Sequence, residues 1–424
     1  MSGPTLVCEW CAREYPASSA LTECSCGSLM SVRIQPPALT GSALRRLFAA
    51  RHAAAAPGQG SGVWRYRELV LPGRGTTVSH PEGDTRLYRH AAVSAYAQVE
   101  DLTLKHEGEN PTGSFKDRGM TVAVTQAVRT QATAVACAST GNTSASMAAY
   151  AAQSGLTALV FVPAGKIAAG KLAQALAYGA RTLLVRGDFD ACLRLAQESS
   201  RELGIRLLNS VNPWRIEGQK TIVLELLQQL GWKVPDWIVV PAGNLGNTSA
   251  FGKALSEARD LGLIRRLPRI AAIQAAGANP FFKSYQAGFR KRFKVTAETV
   301  ATAIRIGNPA SFDRGVKAIR ATRGLVAAVS DREILAAKAV IDAAGIGCEP
   351  ASAASVAGIR QLRKRGLIRP NASVVAVLTG NVLKDSQVVI DYHMGRQRGG
   401  NRPVEIDANV AAVEKVLRSG ADRR

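Results

Sequence analysis

From about residue 100 onward the chain repeats one pattern: a short apolar or β-branched run ends in Gly, Ser or Thr, and a helical stretch follows. The runs are AVACAS (134–139), LTALVFVP (156–163), ARTLLVRG (180–187), IRLLNS (205–210), WIVVPAG (237–243), IAAIQAAG (270–277), GLVAAVS (324–330) and SVVAVLTG (373–380). Between them lie Ala-rich stretches such as Thr143–Ser154 and Thr248–Asp260, which predict helices. Short apolar runs bounded by turn residues predict buried strands, and strands alternating with helices predict parallel sheets covered on both faces. Eight such strands would either close a barrel or form two open sheets. In open sheets ligands sit beyond the carboxyl ends of the strands, and this chain places its Gly, Asn, Ser and Thr residues there.

The first 37 residues differ from the rest. Cys8 and Cys11 precede Cys24 and Cys26-Gly27, and Pro36-Pro37 closes the segment. Two close cysteine pairs at the tips of two turns are the usual frame of a structural zinc site, with the alternative of a knuckle bearing free thiols. The stretch SALRRLFAARHAAAA (42–56) predicts a surface helix.

Composition narrows the class. The chain has 424 residues, 46% of them hydrophobic and 20% charged, which excludes disorder as the main state. No run approaches the ~18 apolar residues of a spanning helix, so no membrane partner is expected. The N-terminus, MSGPTLVCEW, has neither a basic nor an apolar leader region, and the seven cysteines are an odd number; both predict a reducing, cytoplasmic setting. The net charge of +22 points to an anionic partner or only to an Arg-rich outer shell. Its basic clusters are scattered and aromatics are only 5%, so steering of a phosphorylated small molecule is expected rather than nucleic-acid binding.

Four loops carry the chemistry. In HEGENPTGSFKDRGM (106–120), Asn110 to Gly113 form a turn, Ser114 is the expected N-cap, and Lys116 opens a helix. There the positive end of the helix dipole would favour a neutral amine, which Schiff-base chemistry requires. In the second loop Ser139, Thr140, Gly141, Asn142 and Thr143 follow the run that begins at Ala134 and open a helix; hydroxyls and free backbone N–H groups there suit a carboxylate or phosphate, or serve only as caps. Gly243, Asn244, Leu245, Gly246 and Asn247 let the backbone approach a phosphate. This loop is neither a P-loop nor a dinucleotide fingerprint, so a monophosphate fits best. The fourth loop is Leu378-Thr379-Gly380-Asn381.

With these loops in view, the chain resembles the threonine synthase family of fold-type II pyridoxal-phosphate enzymes. The resemblance runs over roughly residues 65–395 and rests on NPTGSFKDRG (110–119), ASTGNTSAS (138–146), NPWRIEGQKT (212–221), PAGNLGNTSA (241–250), AIRIGNPAS (303–311), EPASAASVAG (349–358) and LTGN (378–381). It implies a tryptophan synthase β-like α/β fold: two open parallel-sheet, three-layer domains with the cofactor in the cleft between them, plus the small N-terminal Cys-bearing knuckle. Residues 38–115 with 216–395 would form the large cofactor-binding domain, 116–215 the small domain, and 396–424 a basic tail.

The resemblance also implies roles. Lys116 would form the Schiff base with pyridoxal 5'-phosphate and shuttle protons. Asn142 would meet the phenolic oxygen, Gly243 to Asn247 the cofactor phosphate, and Thr379 the pyridine nitrogen. A hydroxyl there, in place of a carboxylate, does not strongly favour a protonated ring. Ser139, Thr140 and Thr143 would bind O-phosphohomoserine, and Asn209, Ser210, Arg215 and Asn244 its distal phosphate. The reaction would be phosphate loss followed by addition of water to give threonine, in a homodimer. A paralogue replacing the phosphate of another phospho-amino acid, as a cysteate synthase does, and a nucleic-acid-binding pseudoenzyme are the alternatives.

Overall fold

The computed structural model describes residues 3–55, 60–165, 169–395 and 400–421. Residues 1–384 form one compact unit and Asp385–Arg424 a second. The second contains the helices Ser386–Met394 and Val410–Ala421. No helix of the described residues is long and apolar enough to cross a membrane.

The predicted strands form two open sheets. The larger has six strands in the order Leu325–Val329, Arg269–Ala275, Trp237–Pro241, Ser373–Leu378, Asp101–His106 and Leu87–Tyr88, parallel except for the last. The smaller has four parallel strands in the order Arg181–Val185, Thr157–Pro163, Ala134–Ala138 and Arg206–Leu207. Successive residues of a strand point to opposite faces, and in the large sheet both faces are apolar. Ile238, Val240, Val375 and Val377 enter one core, while Val239, Val374, Ala376 and Leu378 enter the other.

The Cys-bearing segment is a three-stranded antiparallel sheet with Thr5–Cys8 in the centre. It is tied to the rest through its backbone. Gln126 donates to Ala17 O (2.8 Å), Arg206 to Ser18 O (3.1 Å), Lys253 to Val32 O (2.6 Å) and Arg314 to Met30 O. The expected surface helix spans Gly41–Ala53, capped by Thr40, but it is amphipathic, with Leu44 and Phe48 fully buried.

The strand Asp101–His106 was not among the predicted runs, because DLTLKH reads as half-exposed. Lys105 is nevertheless fully buried and bonds Glu225 (2.5 Å), Thr85 O (2.7 Å) and Gln229 (2.8 Å). Glu225 also accepts from Arg118 (2.7 Å), which clasps Glu107 (2.6 and 2.8 Å). Burial alone would raise the Glu225 carboxyl, but Arg118 and Lys105 outweigh it and hold it well below the usual range. A depressed carboxyl stabilises the fold above its unfolded pKa of about 4.3 and loses that contribution as pH falls. Glu225→Gln is therefore expected to cost about 3–5 kcal/mol in denaturant unfolding at neutral pH and to flatten the loss of stability in acid.

Candidate active site

The turn before Lys116 is stitched to the end of the strand Ser373–Leu378. Phe115 N donates to Thr379 O (3.0 Å), Asn381 N to Gly113 O (2.9 Å), and Ser114 bridges Gly380. Gly113 has φ +84°, and a Cβ there would lie 2.9 Å from Lys384, so the turn requires glycine. The helix Lys116–Arg129 begins after Phe115, which supplies no side-chain cap. Ser114 is thus not the N-cap that the sequence predicts; its hydroxyl accepts from Lys116 N at 3.4 Å. Asp117 ties the turn to its helix instead, accepting from Thr112 N (2.7 Å), Thr112 Oγ1 (2.6 Å) and Ser146 (2.5 Å).

Lys116 is half-buried, its amine 4.0 Å above the centre of the Phe115 ring. Desolvation of the amine, then the positive charge of Arg215, push its pKa down to about 7 against the opposing pull of Glu349. The near-neutral amine is as expected, but these two causes stand where the helix dipole was expected.

Arg215 sits on the helix Pro213–Gln219, which packs tightly on the helix of Lys116: a Cβ on Gly218 would fall 1.8 Å from Arg118 O. Arg215 is 1% exposed. It donates from Nη1 to Leu208 O (3.0 Å), while its Nε and Nη2 are buried without a partner, and among the described residues no carboxylate pairs with it. Desolvation lowers its pKa to about 10, and the guanidinium stays charged near neutrality. Asn209 bonds Ala138 N and Ala138 O with its amide (3.0 Å each), and so fixes the start of the Ser139–Thr143 loop. Ser139, Thr140, Asn142, Thr143, Asn209 and Ser210 are all half-buried.

The Gly243–Asn247 loop leads into the helix Gly246–Asp260 through Leu245, which is left-handed (φ 64°, ψ 15°). Among the described residues no acceptor is bonded to the backbone N–H groups of Gly243 to Asn247. Nearby, Asn247 Oδ1, Thr248 Oγ1 and Ser311 Oγ are buried and unbonded. A run of free N–H groups at the positive end of a helix, ringed by unbonded polar atoms, fits a phosphate. Asn244 turns its side chain to the loop 303–311 and accepts from Ala310 N (3.2 Å). Gln219 connects this cradle to the lysine helix: its Oε1 lies 3.2 Å from a Cβ built on Gly246, and its Nε2 3.1 Å from one on Gly119.

The remaining two residues expected at the cofactor, Asn142 and Thr379, meet at one carboxylate. Glu349 accepts from Asn142 Nδ2 (2.9 Å) and from Thr379 Oγ1 (3.1 Å). The lysine, the cradle, Asn142 and Thr379 together fit pyridoxal phosphate.

At the N-terminus the sulfurs of Cys8, Cys11, Cys24 and Cys26 all lie within 4.8 Å of one another. Cys8 and Cys26 are 3.4 Å apart and Cys11 and Cys24 3.7 Å, against an edge of ~3.8 Å for a thiolate tetrahedron around zinc. The single residue between Cys24 and Cys26 therefore does not prevent tetrahedral coordination.

Residues 78–380 match the family of pyridoxal-phosphate dependent enzymes. The chain is 41% identical to the threonine synthase of Methanocaldococcus jannaschii over 418 residues, covering 97% of this chain and 98% of that protein. It is 47% identical to the threonine synthase of Methanosarcina acetivorans, covering 84% of this chain and 86% of that one. The chain belongs to the threonine synthase family. The crystal structure of threonine synthase from Escherichia coli superposes with a TM-score of 0.70 at 18% identity, over 98% of this chain and all of that one. Maize serine racemase gives 0.60 at 21% identity, over 80% of this chain and 93% of that one, so the fold is fold-type II as the resemblance implies.

Sequence reasoning assigned no role to Glu349, Asp117 or Gln219, although each stands inside a quoted family motif. A Glu directly before Pro350 at a helix start was the available signal for Glu349. The amine of Lys116 generates a test. Capture of pyridoxal phosphate by the apoprotein should quicken about tenfold per pH unit below about pH 7 and level off above it. Arg215→Gln removes a neighbouring positive charge and should move that midpoint upward. Stopped-flow absorbance reads both, and a rate that climbs unchanged toward pH 10 contradicts them.

Proposed function

We propose that this chain is a threonine synthase, converting O-phospho-L-homoserine and water to L-threonine and phosphate. Its similarity to threonine synthases along most of its length supports this reading. The single structural observation that carries it is Arg215, a buried cation with two unbonded N–H positions and no carboxylate partner among the described residues. A buried charge of this kind calls for an anion, and a guanidinium fork matches a phosphate.

Pyridoxal phosphate, when bound, supplies an electron sink for negative charge on the carbon beside the substrate's amino group. Lys116 would hold it, with Gly243 to Asn247 on its phosphate, Asn142 on its phenolic oxygen and Thr379 on its ring nitrogen. The hydroxyls of Ser139, Thr140 and Thr143, at a helix start, suit the substrate's carboxylate. Lys116 Nζ, poised near neutrality, takes the α-proton and returns protons to the carbon chain. Arg215 and Ser210 hold the departing phosphate and meet the charge that grows on its oxygen as the bond to the γ-carbon breaks. Asn209 serves the same site by fixing the second loop. Residues 116–215 act as the smaller lobe and close on the larger one, with 303–311 as the moving loop, which keeps water out until the β-carbon is ready to receive it. The contact of Asn142 with Glu349 supports such a closure.

Phosphate release from O-phosphohomoserine, measured beside O-phosphoserine with and without sulfite, tests the reading. Turnover of O-phosphoserine with sulfite and none of O-phosphohomoserine overturns it. Arg215→Ala should reduce kcat/KM on O-phosphohomoserine by the equivalent of about 2–5 kcal/mol and leave the cofactor spectrum intact.

We also propose that Cys8, Cys11, Cys24 and Cys26 hold a structural zinc ion. Metal analysis of protein purified without chelator should find about one zinc per chain. Replacing Cys8 and Cys11 by Ser should lower the unfolding temperature and leave turnover of the folded fraction nearly unchanged. A metal-free protein of undiminished stability speaks against the site.

A further inference from the structure

Glu349 is 1% exposed and stands before the helix Pro350–Lys364, whose positive end favours an ionised carboxylate. Its backbone is fixed by a bond from Glu349 N to Gly380 O (3.0 Å). Its carboxyl carbon would lie 2.5 Å from a Cβ on Gly380, so the glycine after Thr379 is what admits it. Among the described residues, Lys116, Lys384 and Cys348 are titratable groups on which its charge acts.

Thr379 Oγ1 has one proton and two lone pairs. It lies 3.1 Å from Glu349 Oε1 and 3.0 Å from Ser352 Oγ. An ionised carboxylate only accepts, so the Thr379 proton goes to Glu349. With the Thr379 proton committed to the carboxylate, the contact between the two hydroxyls is bridged by the Ser352 proton, Thr379 being nearer than Gly380 O at 3.5 Å, while Ser352 itself accepts from Gly380 N at 2.9 Å. One lone pair of Thr379 is left open, and whatever meets it must be a donor. On the other side Glu349 Oε2 accepts from Asn142 Nδ2, which fixes that end of the amide as the donor and, among the described residues, leaves its second N–H unbonded.

We propose that Glu349 is a positioning residue that sets the polarity of the cofactor ring: through Thr379 it holds the ring nitrogen protonated, and through Asn142 it offers a donor to the phenolic oxygen. This rests on the reading that Thr379 faces the ring nitrogen. A hydroxyl alone is indifferent to ring protonation; a hydroxyl whose proton is already committed to a carboxylate is not. The consequence is a stronger electron sink than a threonine by itself would allow.

The test is the 15N chemical shift of ring-labelled pyridoxal phosphate in the holoenzyme, followed against pH. The wild-type nitrogen should be protonated at neutral pH, and Glu349→Gln, which frees the Thr379 proton, should lower its titration midpoint by about 1–3 pH units. Thr379→Ser keeps the relay and should match wild type, whereas Thr379→Val should lose it. An unprotonated nitrogen in wild type overturns the proposal without any variant, which covers a Glu349→Gln protein that fails to fold. If Thr379→Val moves the midpoint and Glu349→Gln does not, the relay alone is wrong. If neither moves it, Thr379 does not face the ring nitrogen, and both readings fall.

Discussion

Arg118 lies two residues after Lys116 and reaches no solvent; its guanidinium is divided between Glu107 and Glu225, and Glu225 is shared in turn with Lys105. Four charges without water are tolerable only because each carboxylate meets more than one cation or donor, and removal of any member leaves an unpaired charge in a dry interior. The network joins the strand Asp101–His106, the lysine helix and the helix Thr221–Gln229. It therefore fixes the direction in which the first turn of the lysine helix points. The order Lys-Asp-Arg then reads as three tasks: Lys116 faces the site, Asp117 ties its own turn, and Arg118 anchors the helix from behind.

Close approach is the second constraint. Gly218 lets the helix of Arg215 lie against the carbonyl of Arg118, and Gly380 lets Glu349 lie against the end of the strand that carries Thr379. A side chain at either position would push apart groups that come from different elements. Hydrogen bonds alone do not set the spacing of the site; glycines that let one element touch another do. Gln219 shows the same economy, standing between the phosphate cradle on one side and the lysine helix on the other.

Most of this was legible in the sequence. The eight apolar runs became strands of two sheets, and all four chemistry-bearing loops lie at strand ends as open-sheet logic requires. The strand Asp101–His106 was hidden because its Lys105 and His106 look solvent-facing; only three-dimensional pairing with Glu225 makes a lysine an interior residue. Ser114 misled for a related reason. Its sequence position suits an N-cap, but the bridge to Gly380, some 270 residues away in the chain, fixes the backbone differently. The IRLLNS run gave only the two-residue strand Arg206–Leu207, because Asn209 bonds Ala138 through its side chain and ends the ladder early. Glu349 was present in a recognised motif without a role, since its meaning depends on Asn142 and Thr379, which meet it from distant segments.

The site that results is built from partnerships left incomplete. Arg215 is charged and has no carboxylate partner among the described residues, and its charge helps to keep the neighbouring Lys116 neutral, because two cations close together and poorly solvated cannot both hold their protons cheaply. On the proposed reading this coupling has a direction in time. A substrate phosphate that pairs with Arg215 cancels the field that suppresses Lys116, and so raises the proton affinity of its amine when the α-proton has to be taken. Once phosphate departs, the field returns, and a protonated Lys116 is pressed to give its proton back to the carbon chain. A carboxylate placed permanently beside Arg215 would complete the pair and abolish this response. That is a physical reason for a buried guanidinium to be left without one.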